Sequence, residues 1–268
     1  MQINYKEPAA DLQKRIEIHE KYGTRNIDAW NVEVLNPQPG QSILDVGCGA
    51  GKQCFLFDDH TKGKAEIFGG DFSEELLGKA NERLAGSGSK NIHFQFLDFN
   101  KPFEFADGKF DIATSSFAIY YASDLKFTFS EAYRVLKPGG RLFVTGPLPE
   151  NKKMFYDIIK EATNKAIPPM PGSSRFKGEI FNTIDSIFDK TELLSWENPL
   201  IFPEVEPFME YVHASLNEDR KLWTDLFNNA EEYKALMHSI ETVAKAWHAR
   251  DGKLVMTKVV GGILAHKK

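Results

Sequence analysis

Between Ser42 and Pro147, short apolar runs alternate with stretches of helical spacing, and the two periods predict strands and helices in turn. Ser42–Val46 reads as a strand, residues 47–51 as a glycine-rich turn and 52–59 as a helix. Residues 65–68 form a second strand by the same pattern, with Asp71 just beyond it. Ser73 is placed to cap a helix whose first turn carries Glu74 and Glu75. Residues 91–97 alternate as a third strand and 110–115 read as a fourth. Residues 125–136 have amphipathic helical spacing. Lys137-Pro138-Gly139-Gly140 reads as a stop and turn before a fifth strand at 141–145. Strand and helix alternating at this interval imply an α/β fold with a parallel sheet and right-handed crossovers.

Beyond Pro147 the pattern changes. Residues 152–164 look helical, 167–172 are a proline-rich loop, and 183–194 have helical spacing. Residues 199–203 and their neighbours are extended, with a sheet strand expected near 193–203. Residues 206–216, 219–227 and 230–250 are further helices, and 253–268 turns β-like. The expected organisation is an N-terminal helical segment (1–40) over the front of the sheet and a core at 41–147. Helical additions at 148–252 follow, and a final strand at 253–268 returns to the core sheet.

Composition narrows the classes. Of 268 residues, 42% are hydrophobic and 26% charged, which suits a globular chain with a buried core. A net charge of −5 without a basic stripe argues against a nucleic-acid partner. Cys48 and Cys54 supply no metal-ligand framework and suit a reducing compartment. No run approaches the roughly 20 apolar residues of a membrane span, and the opening ten residues are polar, so a cytoplasmic protein is expected.

The strongest chemical feature is Leu44-Asp-Val-Gly-Cys-Gly-Ala-Gly51 at the end of the first strand. Glycines allow a sharp turn and let a ligand approach the main chain, and the following helix offers unpaired N–H groups. A dinucleotide fingerprint G-x-G-x-x-G requires glycine at position 52, which is Lys52. The spacing here is instead D-x-G-x-G-x-G.

This segment resembles motif I of class I S-adenosylmethionine-dependent methyltransferases, and the chain repeats that family's order of motifs. Gly70-Asp71-Phe72-Ser73 follows the second strand, Phe96-Leu-Asp98-Phe99 the third, and residues 110–121 are similar to the fourth-strand segment. Residues 132–142 contain Arg134-Val-Leu-Lys-Pro-Gly-Gly-Arg-Leu142, a shared signature whose role is structural. The layout is similar to the trans-aconitate, malonyl-acyl-carrier and quinone methyltransferase group. The resemblance implies a Rossmann-like, mostly parallel seven-stranded sheet with helices on both faces and a helical cap. It implies S-adenosylmethionine as cofactor, held by Asp45, Gly47, Cys48, Gly49 and Gly51. The resemblance gives Asp71 to the ribose, Asp98 and Phe99 to the adenine, and Ser116, ahead of Ser115, to the amino-acid portion, with Phe72 a further cofactor-binding residue. A helix-start residue and a solvated loop acid are the plain alternatives for Asp71 and Asp98.

The resemblance also implies a small-molecule acceptor methylated at O, N or C, with no membrane span and a monomer or homodimer. Tyr120, Tyr121 and His213 are the catalytic candidates. Tyr22, Trp30, Phe117, Tyr120 and Arg175 are candidates for the acceptor pocket, and several of the 21 phenylalanines could line it. Core packing and solvated charge are the alternatives for each. A tRNA or protein methyltransferase, a cofactor-binding protein without turnover and a nicotinamide dehydrogenase are the competing functions.

Overall fold

In the computed structural model, residues 9–165, 171–216 and 226–268 are described. Seven strands form one sheet: β1 (Ser42–Val46), β2 (Glu66–Asp71), β3 (Ile92–Phe96), β4 (Phe110–Ser116), β5 (Leu136–Pro147), β6 (Lys190–Phe202) and β7 (Leu254–His266). Their order is β3-β2-β1-β4-β5-β7-β6. Pairings β1/β2, β2/β3, β1/β4 and β4/β5 are parallel, whereas β7 runs antiparallel to β5 from Arg141↔His266 to Pro147↔Val260. The sheet is therefore mixed and mostly parallel. All five residues of β1 are buried, as expected for a central strand covered on both faces.

The connecting helices are α1 (Ala9–Tyr22), α2 (Ile27–Leu35), α3 (Lys52–His60), α4 (Glu74–Ser87) and α5 (Leu125–Val135). After β5 come α6 (Lys153–Thr163), the short α7 (Pro171–Arg175) and α8 (Phe181–Asp185) with a π-helical turn between them, then α9 (Val205–Ser215) and α10 (Ala230–Asp251). Ser73 caps α4, its Oγ accepting from Leu76 N–H at 3.3 Å.

Two elements depart from the sequence reading. The helix expected at 183–194 stops at Asp185, and β6 begins at Lys190. From Leu194 onward, inward residues Trp196, Asn198, Leu200 and Phe202 alternate with exposed Ser195, Glu197 and Ile201, so a period of two prevails over the helical spacing upstream. Residues 137–140 are not a separate turn: they enter β5, since Leu136 pairs with Phe110 and Gly139 N–H donates to Lys267 O at 2.8 Å. The N-terminal helical segment expected at 1–40 holds two helices, α1 and α2, among the described residues. It breaks at Gly23, where the N–H groups of Thr24 and Arg25 turn to Asn198 Oδ1 at 2.8 and 2.9 Å. The helix expected at 219–227 and the loop at 167–172 fall mostly outside the described residues.

The chain divides into two compact units. The sheet unit takes residues 27–148, 172–196 and 260–268. Its core holds Leu35, Ile43, Phe57, Ile67, Ile112, Phe143 and Trp196. The helical unit takes the described residues of 1–26, 149–171 and 197–259. There, α1, α6, α9 and α10 pack around Phe155, Ile158, Phe202, Phe208, Tyr211 and Ile240. No described helix is long and apolar enough to cross a membrane.

Candidate functional site

In the sheet unit, strand order reverses direction at β1/β4, and open α/β sheets bind ligands in the crevice beyond the strand ends at such a point. The loop after β1 occupies that place. Gly47, Gly49 and Gly51 all adopt left-handed backbone, with φ of 77°, 54° and 76°. The alternate-glycine spacing thus follows from three alternate positions that L side chains avoid. Close packing adds to this at two of them: a Cβ on Gly47 would lie 2.4 Å from Ala118 Cβ, and one on Gly51 would lie 2.4 Å from Phe94 Cζ. Gly49 differs, because a Cβ there would meet nothing nearer than Leu76 Cδ1 at 4.0 Å. Among the described residues, the space above Gly49 is left open.

Asp71, at the end of β2 and 7% exposed, braces this loop. Its Oδ2 accepts from Gly49 N–H at 2.8 Å and its Oδ1 from Ser73 N–H at 2.9 Å. Phe72 beside it is 66% exposed, an unusual position for a large apolar side chain. Asp45 lies beneath the loop. Its Oδ2 accepts from the Cys54 thiol at 3.6 Å, and its Oδ1 is buried without a hydrogen bond among the described residues. Burial, with the nearby Asp71 charge, raises its carboxyl to about 7 against the lowering effect of Cys54. Cys54 is a neutral thiol, its pKa raised by the Cys48 thiol, by burial and by Asp45. Cys48 is buried, with Sγ 3.6 Å from Gly49 O.

Beyond β3, Asp98 Oδ1 accepts from Asn100 N–H and Nδ2 at 2.9 and 3.1 Å, and Lys101 Nζ stands 3.7 Å from Oδ2. Phe99 is buried and its carbonyl accepts from Thr128 Oγ1 at 2.9 Å. At the end of β4, Ser115 Oγ is buried without a partner among the described residues, whereas Ser116 Oγ donates to Gln53 Oε1 at 2.7 Å. Asn31 Nδ2 donates to Ser116 Oγ at 3.2 Å, and Gln53 Nε2 to Thr114 Oγ1 at 3.3 Å. This buried polar group joins α2, α3 and β4. Asn31 and Gln53 were not singled out from the sequence, where each is an ordinary polar residue in a helical stretch.

Phe117 follows with φ 55°, a left-handed non-glycine residue of the kind that concentrates at functional sites. Tyr120 and Tyr121 lie on one 3₁₀ turn, half-buried, with ring centroids 4.5 Å apart. Arg175 is held by that turn, its Nη1 donating to Tyr120 O at 2.7 Å and its Nε to Glu179 Oε2 at 2.8 Å. Trp30 is 9% exposed in the core, 6.0 Å from Trp196 and 5.5 Å from Phe143 between ring centroids. Arg134 ties α5 to the segment before β4, donating to Phe103 O, Phe105 O, Asp107 and Glu131.

Tyr22 and His213 belong to the helical unit. Tyr22 packs on Phe202 at 5.2 Å. His213 is exposed, with Nδ1 2.9 Å from Tyr233 Oη, and lines a cavity of about 440 Å³ with Glu206, Met209, Lys234 and Glu241. The structure thus gathers the glycine loop, Asp45, Asp71 and the serines in one unit and sets Tyr22 and His213 in the other. Among the described residues no cluster of His, Cys, Asp or Glu is arranged to hold a metal ion.

Residues 37–195 match the family model described as a methyltransferase domain. The chain is 30% identical over 190 residues to the demethylmenaquinone methyltransferase of Clavibacter sepedonicus, covering 68% of this chain and 74% of that protein. It is 35% identical over 133 residues to the ubiquinone/menaquinone biosynthesis C-methyltransferase UbiE of Desulfotalea psychrophila, covering 50% and 52%. The structure of the YcgJ protein of Bacillus subtilis superimposes with a TM-score of 0.58 at 16% identity, over 90% of this chain and 97% of that one, a likeness of fold. The chain spans 32% to 52% of the length of the first curated relatives it matches.

Proposed function

The chain belongs to the methyltransferase domain family, and on that premise we propose that it transfers a methyl group from S-adenosylmethionine to a small-molecule acceptor. One observation carries the reading: the open space above Gly49 in a loop whose other glycines are packed against protein. A packing role accounts for Gly47 and Gly51, and ligand approach accounts for Gly49. Asp45 Oδ1 and Ser115 Oγ, buried without a partner among the described residues, fit the same group, since each offers a hydrogen bond beside the crevice.

When bound, the cofactor supplies an electrophilic methyl on its sulfonium sulfur. The residues named here bind and orient it. Asp71 already spends one lone pair of each oxygen on the loop and Ser73, and its remaining lone pairs accept from the ribose hydroxyls. Phe72 covers the nucleoside with its exposed ring. Asp98 accepts from the adenine amino group, and Phe99, whose carbonyl is taken by Thr128, offers its N–H to the ring edge. Asp45, the backbone of Gly47, Cys48, Gly49 and Gly51, and Ser115 with Ser116 hold the amino-acid portion.

The half-buried Phe117, Tyr120 and Tyr121 exclude water from the acceptor and orient it, with Arg175 fixing the 3₁₀ turn that carries the tyrosines. Positioning of this kind contributes up to roughly 7–11 kcal/mol. Tyr22 and His213 lie in the helical unit and have no part in this assignment. A monomer or homodimer in the cytoplasm suits the two free cysteines. The test is a titration with S-adenosylmethionine, then a turnover screen against a metabolite panel reading S-adenosylhomocysteine release. A chain that binds no S-adenosylmethionine at millimolar concentration refutes the assignment.

A further inference from the structure

The buried polar group that joins α2, α3 and β4 has its hydrogen-bond roles set by its own geometry, and all its members belong to the sheet unit. Gln53 Nε2 donates to Thr114 Oγ1 at 3.3 Å, which leaves the Gln53 amide oxygen to face Ser116. Ser116 Oγ gives its one proton to that oxygen at 2.7 Å. Asn31 Nδ2 donates to Ser116 Oγ at 3.2 Å and to Gln53 Oε1 at 3.4 Å. The donors of Ser116 and Asn31 are thereby spent. What remains to them is acceptor capacity, one lone pair on Ser116 Oγ and the amide oxygen of Asn31.

Two buried atoms extend this acceptor set. Asn31 is 2% exposed, and its Oδ1 has no hydrogen bond among the described residues. Thr145 is fully buried and pairs in register with Ser116, and its Oγ1 is in the same condition. Residues paired across a sheet share a face, so the Thr145 side chain stands on the Ser116 side. Ser116 itself is half-buried and lies where β4 ends at the switch point, so the group opens toward the crevice there. A buried acceptor left unpaired is costly to the fold, and a bound donor relieves that cost. An ammonium brings three donors and a positive charge, whereas a carboxylate would set acceptor against acceptor.

We infer that Gln53 is a positioning residue that holds Ser116 in the accepting role, and that Ser116 Oγ, Asn31 Oδ1 and Thr145 Oγ1 together take the α-ammonium of the cofactor's amino-acid portion. The inference rests on the methyl-transfer reading. It adds to that reading which end of the amino-acid portion β4 receives, and how a residue outside the glycine loop enforces the choice.

The experiment titrates the full chain calorimetrically with S-adenosylhomocysteine, with its analogue lacking the α-amino group and with its analogue lacking the α-carboxyl group. In the wild-type chain, loss of the amino group should weaken binding by about tenfold or more, the size of a charge-assisted hydrogen bond. Gln53→Leu removes the oxygen that takes the Ser116 proton and frees that hydroxyl to donate; Asn31→Leu removes one acceptor outright. In each variant the amino-group penalty should shrink by about threefold or more, while the carboxyl-group penalty stays as in the wild type. Asn31→Asp, which keeps Oδ1, should retain the amino-group penalty. A role in packing alone would move both penalties together. Equal wild-type binding of S-adenosylhomocysteine and its amino-lacking analogue overturns the inference and leaves the methyl-transfer reading standing. So does an unchanged amino-group penalty in folded Gln53→Leu or Asn31→Leu, an equal change in both penalties, or loss of the penalty in Asn31→Asp. Should one leucine variant fail to fold, the other decides, and should both fail, the wild-type comparison decides. A wild-type chain that binds no S-adenosylhomocysteine overturns the methyl-transfer reading and this inference with it.

Discussion

The glycine loop of the sheet unit and a cluster of basic residues in the helical unit assemble in opposite ways. The loop is contiguous. Five residues, 47–51, turn through three left-handed glycines, and one carboxylate from the next strand, Asp71, grips the middle of the turn. Its groups for a ligand are largely main chain, so side-chain identity matters mostly by its absence. The cluster is scattered, drawing Arg15 and His19 from α1, Lys152 from the start of α6 and Lys258 from β7. A contiguous backbone turn is fixed by local conformational preference, whereas a dispersed side-chain group exists only once the elements have packed.

Substitutions within the loop give the sharpest test of that contrast. Gly47→Val forces a branched side chain into φ 77° and against Ala118. Left-handed strain of roughly 1–2 kcal/mol and overpacking of roughly 1–3 kcal/mol should together destabilise the fold in urea denaturation and remove cofactor binding. Gly49→Ala meets no atom of the described residues nearer than 4.0 Å, so its stability cost should be the strain alone. S-adenosylmethionine affinity should nonetheless collapse by calorimetry. A Gly49→Ala protein with unchanged affinity would break the distinction between the packed glycines and the open one.

Asp71→Ala is the next largest effect. Loss of its charge-assisted bonds should weaken S-adenosylmethionine by about 1.5–3 kcal/mol, read as the shift in the titration midpoint. Arg134→Ala should act on stability alone. It removes bonds to Phe103 O, Phe105 O, Asp107 and Glu131 from a side chain 30% exposed. A cost of about 1–2 kcal/mol in denaturation, with cofactor affinity unchanged, would place the Arg134–Leu142 signature with the fold rather than the site.

The smallest effect concerns pH. The Asp45 carboxyl is raised from 3.8 to about 7 in the folded chain, so between those values the native state holds a proton that the unfolded state has released. Stability contributed by this group should fall as pH rises from about 4 to 7 and level off above. Asp45→Asn should flatten that part of the profile, measured as the difference between wild-type and variant denaturation curves across the window. Parallel curves would show that Asp45 does not titrate there.

The alternate glycines, Asp71 and the Ser73 cap were legible because each is a local demand: positive φ, a strand-end carboxylate and an N-cap all act within a few residues. The boundary at 183–194 was not. Helical spacing and the period of two overlap near Leu194, and the strand prevails where Trp196, Leu200 and Phe202 find buried places. Residues 137–140 look like a turn in isolation and become strand because Lys267 O meets Gly139 N–H. Asn31 and Gln53 carried no local signal, since their bonds to Ser116 and Thr114 need α2, α3 and β4 to meet. Trp30 and Arg175 read as pocket residues. One lies in the core with Trp196 and Phe143, and the other holds Tyr120 O.

By itself the sequence determined the α/β alternation, the glycine-loop spacing and the order of the motifs, because strand period, helix capping and left-handed backbone are properties of neighbouring residues. Tertiary structure alone decided where β6 begins, which polar side chains share a buried bond, and that His19 and Lys152, distant in the chain, both meet the Tyr211 ring. Those outcomes depend on burial and proximity across long loops, and no residue carries that information until its distant partners have packed against it.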